Sequence, residues 1–332
     1  MADSYAKSSD VRDCARGIPP ARHCNARRAK IRTEDDPSCR CEAHHALAGT
    51  LTSLGELDAA RQHFEAAVAA YDERRPQRSA LGSDLGVFSH VWYSHTLWLL
   101  GRSDQARLHA EQGIALANRL DHPYSRTLAH AYASLMYQWQ GDIPNMRASA
   151  ETVMALSERH RFAYYSDWAR ILLGWADGYE RRTDAGIALI QSAFDSLDGQ
   201  RAQARRPYFL SLLADAHNAA GRRDRALTIL HAAIGMAAEH DDVWWNAELL
   251  RMKGELEASE AAEASFERAI DIARAQGSRA LELRSAVSLA RLWQRRGQPA
   301  MTQKLLGPLV ISLSGADARD LSQARELLSK AS

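Results

Sequence analysis

The chain has 332 residues, with 42 Lys and Arg against 41 Asp and Glu for a net charge of +1. That balance excludes a bulk electrostatic case for nucleic acid or an anionic membrane as partner. No apolar run approaches the roughly 18 residues a membrane span needs, and no hydrophobic signal core opens the sequence, so the cytoplasm is the expected location.

Residues 1–41 mix Arg, Asp, Ser, Cys and the Pro19-Pro20 pair with no period of 3.6 or 2, the composition of an irregular or disordered arm. All four cysteines (Cys14, Cys24, Cys39, Cys41) lie there, so the rest of the chain is expected to rely on packing alone. Cys39 and Cys41 with His44 and His45 lack the usual C-x₂-C zinc spacing, and no metal or other cofactor is expected.

From residue 42 to 332 the character changes to Ala- and Leu-rich helices, and the sequence repeats. Gly55, Gly101, Gly141, Arg181, Gly221, Glu257 and Gly297 mark successive helix ends at intervals of 46, 40, 40, 40, 36 and 40. Five residues after each anchor stands Ala60, Ala106, Met146, Gly186, Ala226, Ala262 or Thr302. Nine after it stands Phe64, Ala110, Ala150, Ile190, Leu230, Phe266 or Leu306; twelve after it, Ala67, Gly113, Val153, Ala193, Ala233, Ala269 or Leu309. Small and apolar residues at fixed offsets in a 20–50-residue period mark a solenoid. The expected fold is all-α, a right-handed superhelix of about seven helix pairs with a period near 40 residues.

One repeat shows the local grammar. A helix begins at Ser103 and runs to about Leu120, where Asp121-His122-Pro123 breaks it. A second helix follows from about Tyr124 to Trp139, and Gly141 closes it as a C-cap. Leu173-Gly174 falls where the two helices of the fourth repeat cross, a place with no room for a large side chain.

These offsets resemble the tetratricopeptide pattern of Leu-Gly, Gly, Ala, Phe and Ala. More narrowly, several segments look like the C-terminal repeat region of bacterial signalling proteins. Those proteins join a class III adenylate/guanylate cyclase domain to an AAA ATPase of the STAND type, and then to such repeats. The segments are Trp98 to Gly101 with Asp104 to Ala106, Leu120 to Pro123, Arg206 to Phe209, Asn246 to Glu255, Ala264 to Ala269 and Leu281 to Trp293. Gly315 to Asp317, with Asp320 and Leu321, resembles the family's ending, although Ile311, Ser312 and Leu313 stand where aromatic residues are usual.

The resemblance implies the sensor or interaction part of such a protein, stand-alone or a piece of a longer chain. It does not imply the family's chemistry here. No G-x-x-x-x-G-K-[ST] loop is present to cradle phosphates, and there is no cyclase module. The chain is therefore expected not to be an enzyme, and to bind a protein or peptide, an ATPase or cyclase signalling domain among the candidates.

In such superhelices the first helix of each pair lines the concave face. Counting back 13, 10, 6 and 3 from the anchors gives Phe88, His95 and Trp98 in the second repeat, Gln138 in the third, and Trp168 and Trp175 in the fourth. The fifth gives Tyr208, Ser211, Asp215 and Asn218; the last two give Trp244, Arg251, Arg284, Val287 and Arg291. Aromatics offer contact area at low entropic cost and arginines fork onto carboxylates, which together suit peptide recognition. Two alternatives stand beside this. The tryptophans can pack between neighbouring helices as core, or Phe88, His95, Trp98 and Trp168 can form a small-molecule pocket. His44, His45, His90, His95 and His109 lack the i, i+4 spacing with a nearby carboxylate that metal-binding helices use.

Overall fold

A computed structural model describes residues 37–79, 82–179, 183–313 and 318–331, and these are helical almost throughout. The first pair is α1 (Pro37–Ser53) with α2 (Leu57–Ala70), the second α3 (Leu85–Leu99) with α4 (Ser103–Arg119). The third is α5 (Pro123–Gln140) with α6 (Ile143–His160), and the fourth α7 (Ala163–Tyr179) with α8 (Thr183–Gly199). Then come α9 (Arg206–Ala219) with α10 (Arg223–Glu239), α11 (Asn246–Leu256) with α12 (Ser259–Gln276), and α13 (Arg279–Arg295) with α14 (Pro299–Ser312). A single helix, α15 (Ala318–Lys330), packs on α13 and α14 and covers the end of the array. The only extended pairing among the described residues is one isolated bridge, Arg78 to Asp84. The all-α solenoid of seven helix pairs is what the periodicity predicts. The first helix starts at Pro37, ahead of residue 42; residues 1–36, with Cys14 and Cys24, lie outside the described residues.

Local chemistry sets the helix ends. Proline at the first position of α5 has no amide hydrogen to leave unpaired, and the His122 ring accepts from the Ser125 amide at 3.3 Å. The Asp84 carboxylate caps α3 by accepting from the Val87 amide at 2.9 Å. First helices end on Gly55, Gly101, Gly141, Gly221 and Gly297, all left-handed with φ between 71° and 79°. Glu257 is extended at φ −94°, so the sixth repeat needs no glycine there; Arg181 and residues 315–317 lie outside the described residues. Second helices carry a matching punctuation that composition hides. Asp121, Arg161, Arg201 and Asp241, spaced 40 residues apart, all take positive φ, and Gly277 continues the series.

The repeat offsets are packing positions. Every residue at the fifth, ninth and twelfth offsets is buried, in all seven repeats. The tightest crossing joins α7 to α8, where a Cβ added to Gly174 would lie 2.6 Å from the Gly186 carbonyl oxygen. A Cβ on Gly186 would lie 2.2 Å from that of Gly174. Backbone cannot yield there as a side-chain tip can, so only glycine permits this approach.

The superhelix winds tightly enough to meet itself. The Val243 amide donates to the Ser53 carbonyl at 2.9 Å, and Gln276 Nε2 donates to the Val243 carbonyl at 2.9 Å. Ser278 Oγ reaches the Leu99 carbonyl at 3.2 Å, and α13 packs against α3. The last three pairs therefore close over the first three, and the axis is filled with side chains.

Two predictions follow from this packing. Gly174→Ala and Gly186→Ala should each destabilise the fold by roughly 1–3 kcal/mol or more through backbone overpacking. Gly199→Ala, at a position with nothing within 4 Å of the added carbon, should cost far less; urea midpoints compare the three. The second concerns pH. Burial lowers His90 and His130 from the ordinary 6.5 to about 4, helped by His109 and Arg119 beside the first and Arg126 beside the second. A histidine depressed on folding binds its proton better in the unfolded chain, so acid favours unfolding. Stability should hold above about pH 6.5 and fall as pH drops toward 4. His130→Gln should flatten that slope in urea titrations run across the window. An unchanged slope would show that His130 contributes nothing to it.

Candidate binding cleft

The first helices α7, α9, α11 and α13, joined by α15, leave a cleft of about 500 Å³ on the inner side of the superhelix. Its lining includes Gln138, Trp175, Ser211, Asp215 and Asn218 from the middle repeats, with Glu248, Arg251 and Glu255 from α11. Arg284, Val287, Ser288 and Arg291 of α13 and Arg319, Asp320 and Gln323 of α15 complete it. Four carboxylates and four guanidinium groups thus face the same space.

Their pairing is internal. Trp175 Nε1 donates to Asp215 Oδ2 at 2.8 Å; burial pushes the Asp215 carboxyl up, against the pull of Trp175 and Arg251. Arg251 forks onto Glu248 with two bonds of 2.9 Å and reaches Glu255 at 3.4 Å. Ser288 Oγ donates to Glu255 at 2.6 Å and accepts from Arg251 at 3.3 Å. Burial alone would raise Glu248, but Arg251 and then Arg284 outweigh it and hold the carboxyl below its usual range. Arg291 donates to the amide oxygen of Gln323 at 3.0 Å.

Arg284 and Arg319 act as a clasp. Arg284 Nε donates to Asp320 at 2.6 Å, and Arg319 Nε donates to the other oxygen of that carboxylate at 3.2 Å. Both guanidinium groups also donate to the Trp139 carbonyl, in the last turn of α5. A helix's final carbonyls lack partners within the helix and favour cations, so α13 and α15 dock where α5 is most receptive. Arg284 also lies 4.7 Å from the centre of the Trp98 ring.

The structure divides the expected groove residues into two groups. Trp175, Asp215, Asn218, Arg251, Arg284 and Arg291 meet in the cleft. Phe88, His95, Trp98, Trp168, Tyr208 and Trp244 do not line an open surface; each is 3 % exposed or less and belongs to the packed axis. For these six side chains the burial matches the core-packing alternative: they fill the axis between neighbouring helices. Phe88 stacks on Trp92 at 5.2 Å, Trp98 packs on Trp139 at 5.2 Å, and Trp139 packs on Trp244 at 5.6 Å. His95 Nε2 bonds to the Tyr132 carbonyl at 2.8 Å, and burial holds the ring neutral, well below its ordinary pKa. Among these rings sits Arg205, 5.0–6.0 Å from the centres of Trp92, Tyr132, Trp168 and Trp244.

The register count overlooks half the cleft. Glu248 and Glu255 stand three residues before and four after Arg251, a spacing that already announces internal salt bridges. Arg319, Asp320 and Gln323 escape because α15 follows the last anchor and belongs to no pair.

Removing one partner of a buried ionic cluster costs more than removing a rim charge. Arg284→Ala should therefore destabilise by roughly 3–5 kcal/mol, because Asp320 and the Trp139 carbonyl lose their more buried donor and keep only Arg319. Arg291→Ala should cost no more than about 1 kcal/mol. Equal losses in guanidinium denaturation would refute the clasp.

No protein-family model matches this sequence. The chain is 24% identical over 273 residues to an uncharacterized protein of Rhizobium meliloti (strain 1021), covering 80% of this chain and 26% of that protein. It thus spans about a quarter of the length of the curated relative it matches. Among solved structures it is similar to a Rap protein complexed with competence and sporulation factor, with a TM-score of 0.60 at 10% identity over 94% of this chain and 99% of that one. It is also similar to aspartyl phosphate phosphatase F from Bacillus subtilis, with a TM-score of 0.52 at 11% identity over 92% and 72% of the two chains. At these identities the likeness shows the fold, a tetratricopeptide-like helical solenoid. Among the described residues no helix is long and apolar enough to cross a membrane.

Proposed function

We propose that this chain is a non-catalytic sensor or protein-interaction module of a signal-transduction system, and that it takes a short peptide segment in the inner cleft. The observation that carries this is the convergence of Trp175, Asp215, Asn218, Arg251 and Arg291 on one opening. A cleft of about 500 Å³ falls in the range of built ligand sites, roughly 300–1,000 Å³, and is too small for a folded domain. Facing charges of both signs suit a chain that presents carboxylates and cations in alternation. The similarity in fold to a Rap protein complexed with competence and sporulation factor is in keeping with a solenoid that holds a ligand.

The cleft also marks a seam. One apolar cluster runs from Ala48 to Leu281, a second from Ala262 to Leu327, and the network of Arg251, Glu248, Arg284 and Asp320 lies between them. A ligand touching Asp215 on one side and Arg291 on the other bridges that seam. It thereby biases the position of the last repeats relative to the rest, and through them a cyclase or ATPase signalling domain in the same or another chain.

Selection of peptides from a random display library on the full chain tests this, with Asn218→Trp and Arg291→Glu as probes. Asn218 is exposed at the rim, and a tryptophan there should fill the mouth without disturbing the core. Each variant should weaken selected peptides at least tenfold, about 1.4 kcal/mol, while the melting temperature stays within a degree or two. Binding indifferent to both substitutions moves the site elsewhere. Failure to select any peptide, with Trp175 fluorescence quenched by a metabolite, assigns the cleft to a small molecule.

A further inference from the structure

Two histidine pairs recur at one position of successive repeats. His44 and His90 each stand eleven residues before their anchor glycine, and His63 and His109 each stand eight after it. The structure brings both pairs together across the two helices of their repeat. Nδ1 faces Nδ1 at 2.8 Å in the first pair and 3.0 Å in the second. Ring centres are 5.0 and 5.1 Å apart, with planes tilted by 35° and 30°. All four rings are partly exposed, within reach of solvent. The third repeat keeps the first histidine, as His130, and replaces the second by Ser149. His130 Nδ1 is then buried with no hydrogen-bond partner. The repeat packs without the second ring, so the geometry of the other two pairs is not a requirement of the fold.

We propose that His44–His63 and His90–His109 are two repeat-related sites for a tetragonal first-row metal ion, copper(II) or nickel(II), each held by two imidazole Nδ1 atoms with water completing the coordination. Two imidazole nitrogens completed by water oxygens make the N,O donor set that tetragonal copper(II) and nickel(II) prefer, and the affinity of such donors for divalent first-row ions is greatest at copper. Among the described residues no group of three or more His, Cys, Asp or Glu is placed to hold a metal, so each site is bidentate and open to water.

Without an ion, one Nδ1–H donates to the other Nδ1. Binding needs that proton to move to Nε2 of the same ring, a tautomer change with no net loss of charge, while both rings pivot so that their lone pairs meet at the ion.

The test is titration of the full chain with copper(II) and with nickel(II) as the bare ions, read by calorimetry and visible absorption. Two ions per chain are expected, with dissociation constants on the order of micromolar and zinc weaker than copper. His63→Ala and His109→Ala should each remove one ion, and Ser149→His, which builds a third pair with His130, should add one. Copper-bound protein should show hyperfine coupling to two equivalent nitrogens. No binding tighter than about millimolar overturns the proposal. So does a stoichiometry that ignores all three substitutions, which would leave the pairs as interhelical hydrogen bonds.

Discussion

The structure depends on how the axis of the superhelix is filled. An array of helix pairs has no intrinsic reason to close; each pair needs only its neighbours. Here Trp92, Trp98, Tyr132, Trp139, Trp168, Tyr208, Trp244 and Trp245 come from the second to the sixth repeats and pack as one group. Each such side chain buries about 150–250 Å², so their contact outweighs the entropic cost of drawing distant repeats together. Arg205, only 8 % exposed, places a cation inside that aromatic group, where ring faces offset part of its lost hydration. The half-buried Asp242 carboxyl, which desolvation raises, feels the same guanidinium. Arg205 holds the left-handed conformation at φ 59°, a cost of about 1–2 kcal/mol that its surroundings must exceed.

Closure has a consequence for the cleft. Because aromatic side chains from the second to the sixth repeats occupy the axis, the cleft lies where charged side chains take over, from Asp215 to Gln323. The switch from aromatic to ionic filling coincides with the boundary between the two apolar clusters. Apolar surfaces in contact are hard to separate without loss of area, whereas an ionic seam can exchange one partner for another at smaller net cost. The last repeats are thus joined to the array partly through ionic contacts, Arg284 to Glu248 and Asp320 among them.

Legibility in the sequence followed periodicity. The anchors, the three buried offsets and the Gly174–Gly186 crossing were readable because each repeat restates the same steric problem. The cleft was half readable. The count from the anchors found Trp175, Ser211, Asp215, Arg251 and Arg291, since they share a helix face. It also returned Trp98 and Tyr208, because a helix face is the same whether it meets solvent or another turn of the superhelix. Closure is a long-range property, carried by contacts such as Val243 to Ser53 and Ser278 to Leu99, and no window of one repeat contains it. Arg161 and Arg201 in left-handed turns were unreadable for another reason: arginine carries no preference for that conformation, and only the 40-residue spacing betrays it.

Periodicity also separates what the fold requires from what it merely permits. Positions needed for packing recur in every repeat, as the ninth offset does from Phe64 to Leu306. Positions of the cleft do not recur: Asp215 and Arg251 occupy the same register in adjacent repeats with opposite charge. The histidines are a third case, present as pairs in two repeats, reduced to His130 in the third, and replaced by Arg170 in the fourth. A packing role would have kept them throughout, and a role in the cleft would have set them on the concave face. They instead join the two helices of a pair, His44 to His63 and His90 to His109, with partly exposed rings. Recurrence without necessity points to a property of the pairs themselves rather than to the array that carries them.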